Sequence, residues 1–174
     1  MTNQEAQHIL NKLIGLPLWS IGRAADLEWF AFGTERREIP LRNGNSKIVG
    51  DYALHIQCAW RFRHKHKILF AHHDRFYPAG DDPYKDLLEF DWDKPGANQL
   101  DQRAEQLMQA YEESHLVEQQ VKVEETGDLS IELNDGYFLE AFPDNSIVTE
   151  YWRFFKPYGK QKHFVFTNEG VKRE

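Results

Sequence analysis

The sequence predicts one α+β domain built mainly from antiparallel β-hairpins and a C-terminal meander, with two amphipathic helices. Three observations support this prediction: strict alternation of apolar and polar residues at 52–62, a hairpin-type turn at Asp135-Gly136, and helical spacing of apolar residues in two segments. We count about eight or nine strands. We assign residues 1–174 to a single domain, because this length fits one domain and no linker or repeat divides it.

The first third of the chain is predicted to contain a helix and two short strands. A helix over residues 4–15 is indicated by one apolar stripe, formed by Ala6, Ile9, Leu10, Leu13 and Ile14. Residues 17–33 are aromatic and β-branched enough for two strands with a break near 23–25. The segment 34–46 contains Pro40 and an Asn-Gly-Asn turn, so we expect a loop or a weak edge strand there.

The clearest element is a strand at 52–62, because alternation with period two indicates one buried face. That face carries Tyr52, Leu54, Ile56, Cys58, Trp60 and Phe62. The alternation continues weakly through 67–73, which predicts a long hairpin with its turn at 63–66. If the turn centres on Lys65, Cys58 lies opposite His72, whereas a slip of one residue removes that pairing.

The second half is predicted to be an acidic connection, a helix and a meander. Residues 78–98 form the connection, with one helical turn near 84–89. Asn98 can cap a helix that should end near Ser114 or His115. Strands are then expected at 121–123, 129–133, 137–142, 150–155 and 163–167.

The composition excludes several classes of protein. An aromatic content of 14% is typical of a chain with a large core. The single Cys58 excludes an internal disulfide framework, and no stretch reaches the ~20 apolar residues of a membrane-spanning helix. No secretory signal is evident at the N-terminus. We therefore expect a soluble, cytoplasmic protein with no membrane partner.

The net charge of −7 is distributed unevenly along the chain. Residues 23–75 hold ten Lys and Arg against six Asp and Glu, whereas residues 76–174 hold ten against 21. An acidic surface attracts partners of opposite charge, so a protein partner is predicted to be basic. The run 61–67 is basic, but the acidic remainder would repel nucleic acid, which we do not expect as a partner.

Six His and Cys residues between 55 and 73 permit a site with chemistry. Cys58 and His72 are candidate metal ligands, because zinc binds such side chains. His55, His73 and Asp74 are candidate catalytic residues, because a carboxylate can orient an imidazole. No spacing matches a paired zinc motif, no glycine-rich phosphate loop occurs, and we predict no cofactor. The alternative is that Cys58 is a core residue and the histidines lie at polar positions.

A second candidate surface lies in the aromatic run at 151–155. On a strand, Tyr151, Arg153 and Phe155 would share one face and could contact a partner protein. Trp152 and Phe154 would occupy the opposite face. The alternative is a central strand that is packed on both sides, which would need large apolar groups on both faces.

Two segments together resemble a known family. They are Gly50–Arg61, and Asn134–Asp144 continuing to Glu150–Phe155 and His163–Phe166. The chain resembles, over about residues 15–170, a family of small bacterial proteins of uncharacterised function. The resemblance implies a bacterial cytosolic protein and brings no catalytic residues. Small acidic proteins of this kind include immunity proteins, which neutralise a toxin by covering it.

The function predicted from these observations is a non-enzymatic protein-binding or immunity-type module with an acidic surface. The alternative is a metal-assisted enzyme that uses the histidine-rich hairpin 55–74. The two hypotheses place the active surface differently. The first uses Tyr151, Arg153 and Phe155, and the second uses the polar face of the first hairpin.

Overall fold

The computed structural model describes residues 3–111 and 115–174, and these residues form two α-helices and thirteen strands. The helices are α1 (Asn3–Leu10) and α2 (Gln99–Ala110). The strands are β1 (Leu18–Ala24), β2 (Leu27–Phe32), β3 (Arg37–Pro40), β4 (Ser46–Val49), β5 (Tyr52–Ile56), β6 (Ala59–His64), β7 (Lys67–Ala71), β8 (Glu118–Val123), β9 (Leu129–Leu133), β10 (Tyr137–Phe142), β11 (Glu150–Phe155), β12 (Phe164–Thr167) and β13 (Gly170–Arg173). The predicted α+β class with antiparallel sheets and two helices is confirmed.

The predicted count of eight or nine strands is too low. β3 and β4 pair as a two-stranded arm where we expected a loop or an edge strand. β13 begins at Gly170, whose positive φ of 93° makes a tight turn that the sequence analysis did not predict. The segment 52–62 is two strands, β5 and β6, because the chain leaves one sheet at Gln57 and enters another.

The strands form two main sheets and the arm. The larger sheet has the order β1-β2-β5-β11-β12-β13, and the smaller has the order β7-β6-β10-β9-β8. All neighbouring strands in them are antiparallel. The chain crosses between the sheets after β5 and again after β10. At the first crossing, the Gln57 amide donates to the Tyr151 carbonyl at 2.8 Å.

The inner faces of the two sheets share one apolar core. Phe30 of the larger sheet meets Trp60 of the smaller one edge to face, with ring centroids 5.3 Å apart. The residues predicted to point inward at 54–62 are all buried, on both sides of the crossing. Alternation therefore predicted the buried face correctly, but it could not reveal the change of sheet, because both sheets bury the same face of the chain.

The two helices close the open sides of the sandwich. α1 contacts β8 and β13, and α2 contacts β1 and β7, so each helix bridges one edge strand of each sheet. The Asn98 side chain accepts a hydrogen bond from the Asp101 amide at 2.8 Å, which confirms the predicted cap of α2. α2 ends at Ala110, before the predicted end near 114–115; Ser114 lies outside the described residues.

The acidic connection at 78–98 contains turns and bends but no assigned helix. Near the helical turn expected at 84–89, a single turn closes where the Phe90 amide donates to the Asp86 carbonyl at 3.1 Å. Arg23 holds the end of this segment by donating to the Trp92 carbonyl at 3.0 Å and to the Asp101 carboxylate at 2.7 Å. Across the described residues, neither helix has the length and apolar character needed to cross a membrane.

Candidate functional site

An open groove lies on the outer face of the larger sheet. It has a volume of about 420 Å³. Its floor is low because Ala31 on β2 pairs with Ala53 on β5, and neither side chain fills the space above the sheet. Trp29 and Phe155 form walls on either side. We refer to this cavity as the groove.

The β3–β4 arm forms the remaining wall of the groove through Ile48 and Val49. Its position is held by Asp51, whose carboxylate accepts hydrogen bonds from the Thr34 amide at 3.0 Å and the Glu35 amide at 3.3 Å. Two cation–π contacts add to this: the Arg36 guanidinium lies 4.0 Å from the Trp19 ring, and that of Arg37 lies 4.1 Å from the Tyr158 ring.

One end of the groove is polar and opens into a smaller cavity of about 200 Å³. Arg153 donates from Nε to Glu150 Oε1 at 2.9 Å and from Nη2 to Oε2 at 2.5 Å. Its Nη1 lies 2.9 Å from Nδ1 of His163. Because guanidinium nitrogens only donate, Nδ1 accepts, which requires the neutral imidazole with its proton on Nε2. Burial and the Arg153 charge lower the pKa of His163, in agreement with this neutral state.

His55 lies where the groove meets the polar cavity. Its ring contacts Phe155 edge to face, with centroids 4.8 Å apart. Burial, followed by the charges of Lys47 and Arg153, lowers the pKa of His55 to about 4. Within residues 3–111 and 115–174 its imidazole makes no hydrogen bond. At neutral pH it therefore offers an uncharged donor and acceptor rather than a positive charge.

The other residues of the predicted histidine site lie elsewhere. His72 and His73 begin a 3₁₀ turn over His72–Phe76 and do not extend β7. The ladder between β6 and β7 ends at Arg61 opposite Ala71, so the register that would place Cys58 opposite His72 does not occur. The strand ends there because the Ala71 amide donates to Asp74 at 3.1 Å, which caps the turn.

Each of these residues has a structural partner or is buried. The His72 Nε2 atom lies 3.1 Å from Arg75 Nη2, and burial, with the Arg75 charge, lowers the pKa of His72 to about 4. Asp74 also accepts from Arg103 at 3.3 Å. Cys58 is 2% exposed, and burial raises the pKa of its thiol to about 12, so this thiol stays protonated and is not activated.

The aromatic run at 151–155 also differs from its prediction at one residue. A bulge between Glu150 and Trp152 changes the register with β12, and Tyr151 is 2% exposed. Its hydroxyl donates to the Asn145 carbonyl at 2.6 Å. Tyr151 therefore does not share the open face with Arg153 and Phe155, because the bulge turns it inward.

The structure brings together His55, Arg153 and Phe155, which the sequence had assigned to two different candidate sites. It does not join them with Cys58, His72, His73 or Asp74. In the part of the chain that the structure describes, no three or more His, Cys, Asp or Glu side chains are grouped to hold a metal ion. The described residues therefore contain no group of side chains that supports metal-assisted chemistry.

Comparison with family models, with curated proteins and with solved structures finds no match to this chain. The assignment of function therefore depends on the surfaces of the molecule itself.

Sequence reasoning missed two kinds of residue. Trp29 and Ile48 form the groove, and only the alternation at 27–32 hinted that Trp29 faces away from the core. Glu28, on the inner face of β2, is 3% exposed, and burial together with the charge of Asp101 raises its pKa well above the ordinary value. The sequence signal for this buried carboxyl was that Glu28 alternates with Phe30 and Phe32 and so shares the inner face of the strand.

Proposed function

We propose that the protein is a non-enzymatic binding module whose partner protein docks in the groove. The observation that supports this proposal best is the groove itself: about 420 Å³ of open space with aromatic walls and an alanine floor. Mainly apolar cavities of about 300–1,000 Å³ are typical of small-molecule sites, and anchor side chains of protein interfaces also fill pockets that exclude water. An apolar side chain of a partner would fill the space above Ala31 and Ala53.

The composition and exposure of the walls support a protein partner. Ile48 is 63% exposed at the rim, where it is available to a second surface. Aromatic residues and arginine are enriched at the strongest binding positions of protein interfaces. Trp29 and Phe155 line the groove, and Arg153 lines the adjacent polar cavity. The bonds of Asp51 hold the arm in place, so a partner would meet a preformed surface and little ordering free energy would be lost.

The charge of the groove differs from the charge of the whole chain. Its lining includes Lys47 and, among the described residues, no carboxylate. We therefore propose a partner whose contact surface is apolar at its centre and acidic around it. This reverses the basic partner that the net charge of −7 predicted. An immunity-type role is one instance of the proposal and would require an acidic patch on the toxin.

Site-specific photo-crosslinking in the cells that produce the protein tests the proposal. A benzophenone side chain is placed at Ile48 in the groove wall, and a matched one at Leu88, which is 98% exposed on the acidic connection. We expect Ile48 to label one protein that Leu88 does not label. Equal labelling from both positions, or no labelling from Ile48, would contradict the proposal.

The labelled protein must then bind through the groove after purification. Trp29→Ala removes one wall, and we expect it to weaken binding by about tenfold or more, which corresponds to the ~1.4 kcal/mol expected of an interface anchor. The crosslinked peptide should carry Asp or Glu beside its apolar residue. Unchanged affinity of the Trp29→Ala protein would show that the crosslinked protein is only a neighbour.

A further inference from the structure

A second cavity lies beyond Phe155, where α1 approaches the ends of β11 and β13. It has a volume of about 500 Å³. Its lining contains five side chains that are cationic or can become so: His8, Lys12, Lys156, Lys162 and Arg173. We refer to this cavity as the basic cleft. Among the residues that the structure describes, no carboxylate lines it.

The charges of the basic cleft come from separate parts of the chain. Lys12 follows α1, Lys156 follows β11, Lys162 precedes β12, and Arg173 ends β13. Only the fold brings these four cations to one cavity. Such convergence differs from the run at 61–67, where neighbouring basic residues are adjacent in sequence and occupy one hairpin.

These cations have no anionic partner within residues 3–111 and 115–174. No ion pair joins Lys12, Lys156, Lys162 or Arg173 to a carboxylate. The ammonium group of Lys156 lies 5.3 Å from the centre of the Tyr52 ring, which is its only described interaction. Glu174, next to Arg173 in sequence, is directed to Arg153 instead, at 3.6 Å.

The chain holds 28 acidic and 21 basic residues, yet the described lining of the basic cleft contains cations and no carboxylate. Other arginines are paired with carboxylates: Arg23 contacts Asp93 and Asp101, and Arg61 and Arg63 contact Glu140. Four cations around one cavity create a positive potential there, which attracts an anion. A site that lacks an internal counter-ion in an acidic protein is suited to an external one.

We propose that the basic cleft binds a compact polyanion that carries phosphate groups, as a free polyphosphate or as part of a nucleotide. Lysine is a common point-charge ligand of phosphate, and one triphosphate can contact several lysines at once. The convergence of four chain segments on one concavity favours a compact ligand over an extended acidic peptide. The apolar walls, which include Tyr52 and Phe155, leave room for an organic group beside the phosphates.

Calorimetric titration of the full chain with sodium tripolyphosphate and with metal-free ATP tests this proposal. At about 0.01 M salt the Debye length is ~30 Å, so the charges of protein and ligand are weakly screened. We expect both ligands to bind with a dissociation constant below about 1 mM, and to bind more weakly as the salt concentration rises. Equal affinities would identify the phosphates as the recognised group. Tighter binding of ATP would assign an added contact to the nucleoside.

Paired variants locate the site. Lys12→Gln/Lys162→Gln removes two cations of the cleft, and we expect about a tenfold loss of affinity, as for two partly screened charge contacts. Lys85→Gln/Lys94→Gln changes the net charge equally but lies on the acidic connection, and should leave the affinity within about twofold. All four lysines are exposed, so the variants should fold.

Three results would overturn the proposal. They are no binding of either ligand at low salt, equal losses in the two paired variants, and tighter binding of a glutamate-rich hexapeptide than of tripolyphosphate. The last result would assign the cleft to an acidic segment of a protein. Because the groove variant Trp29→Ala leaves all four cations in place, failure of the cleft proposal is distinguishable from failure of the groove proposal.

Discussion

The outer faces of the two sheets carry similar side chains, but only one of them is open. On the smaller sheet, Arg61 and Arg63 both donate to Glu140, at 2.6 and 2.8 Å. The same guanidinium groups lie over aromatic rings, Arg61 4.9 Å from Phe142 and Arg63 3.7 Å from Phe138. On this face the charged groups therefore pair with one another, and the two guanidinium groups lie over the rings of Phe142 and Phe138.

The larger sheet has the same combination of arginine, glutamate and phenylalanine in Arg153, Glu150 and Phe155. Arg153 is satisfied there too, but it is drawn to one end by Glu150 and His163. The neighbouring positions are Ala31 and Ala53, so Phe155 has open space beside it. The comparison shows that residue type alone does not create a binding surface; small neighbours that leave an aromatic side chain uncovered do.

The largest effect on stability is expected from removing the glutamate that pairs with arginine on each outer face. Glu140→Ala leaves two arginines on the smaller sheet without their anion, and we expect the free energy of unfolding to fall by about 2 kcal/mol. Glu150→Ala should cost about 1 kcal/mol, because Arg153 keeps Glu174 and solvent as partners. Urea denaturation of both variants measures the difference. Equal losses would show that the two faces are held together in the same way.

The pKa of Glu140 provides a check on the same variant. Burial alone would raise it, but hydrogen bonds from Arg63 and Arg61 outweigh burial and lower the pKa. Its contribution to stability is therefore present above the pKa of the unfolded chain and is lost as pH falls through the lower, folded value. The difference in free energy of unfolding between the native protein and the Glu140→Ala variant should therefore become smaller in acid.

An effect of intermediate size concerns the neutral imidazole of His55, where the groove meets the polar cavity. The folded pKa of His55 is about 4, below its ordinary value of 6.5, so the unfolded chain takes up the proton first. Stability is full above pH 6.5 and falls as pH drops toward 4. His55→Phe keeps a ring against Phe155 but cannot take up a proton. It should reduce the loss of unfolding free energy between pH 6.5 and 4 by about 1 kcal/mol, a value discounted because the His55 ring is partly exposed.

His72 is the matched histidine away from the groove, since its pKa is also lowered to about 4. His72→Gln should remove a similar share of the pH dependence without altering the groove. Thermal unfolding followed between pH 4 and 7 compares the two variants and their combination. If His55→Phe retained the full pH dependence of the native protein, the folded and unfolded pKa values of His55 would be equal, which would contradict an imidazole kept neutral by burial.

The sequence predicted the sandwich through local signals and missed what depends on distant pairing. The hairpin turn at Lys65 and the Asp135-Gly136 turn, with φ of 60° and 80° at the latter two residues, were predictable from short-range chemistry. The crossing at Gln57 was not, since both sheets bury the same face of the chain. The bulge that buries Tyr151 depends on the partner strand β12, which alternation within one strand cannot report.

The candidate site was predictable only in pieces, for the same reason. His55 and Arg153 lie 98 positions apart in sequence and become neighbours because β5 pairs with β11. The basic cleft requires four chain segments to meet, so neither the net charge nor the division of charge along the chain could reveal it. Local composition predicted an acidic protein, whereas the fold concentrates unpaired positive charge at one end.

The last prediction concerns two alanine substitutions, one on the outer face of each sheet. We expect the smallest effect on stability from them, and the clearest effect on binding. Ala53→Leu places three more carbons in the groove, where open space admits them, and should change the free energy of unfolding by about 1 kcal/mol or less. It should also prevent the crosslinked partner from entering the groove. Ala59→Leu is the matched control, since Ala59 lies beside Phe142 on the outer face of the smaller sheet.

Affinity for the purified partner decides between the two faces. We expect Ala53→Leu to weaken binding by about tenfold or more and Ala59→Leu to leave it unchanged, because only the first occupies the volume that the partner needs. The opposite order would place the partner on the smaller sheet. There Arg61, Arg63 and Glu140 would have to exchange their mutual bonds for bonds to the partner, so a surface closed in the free protein would open only on binding.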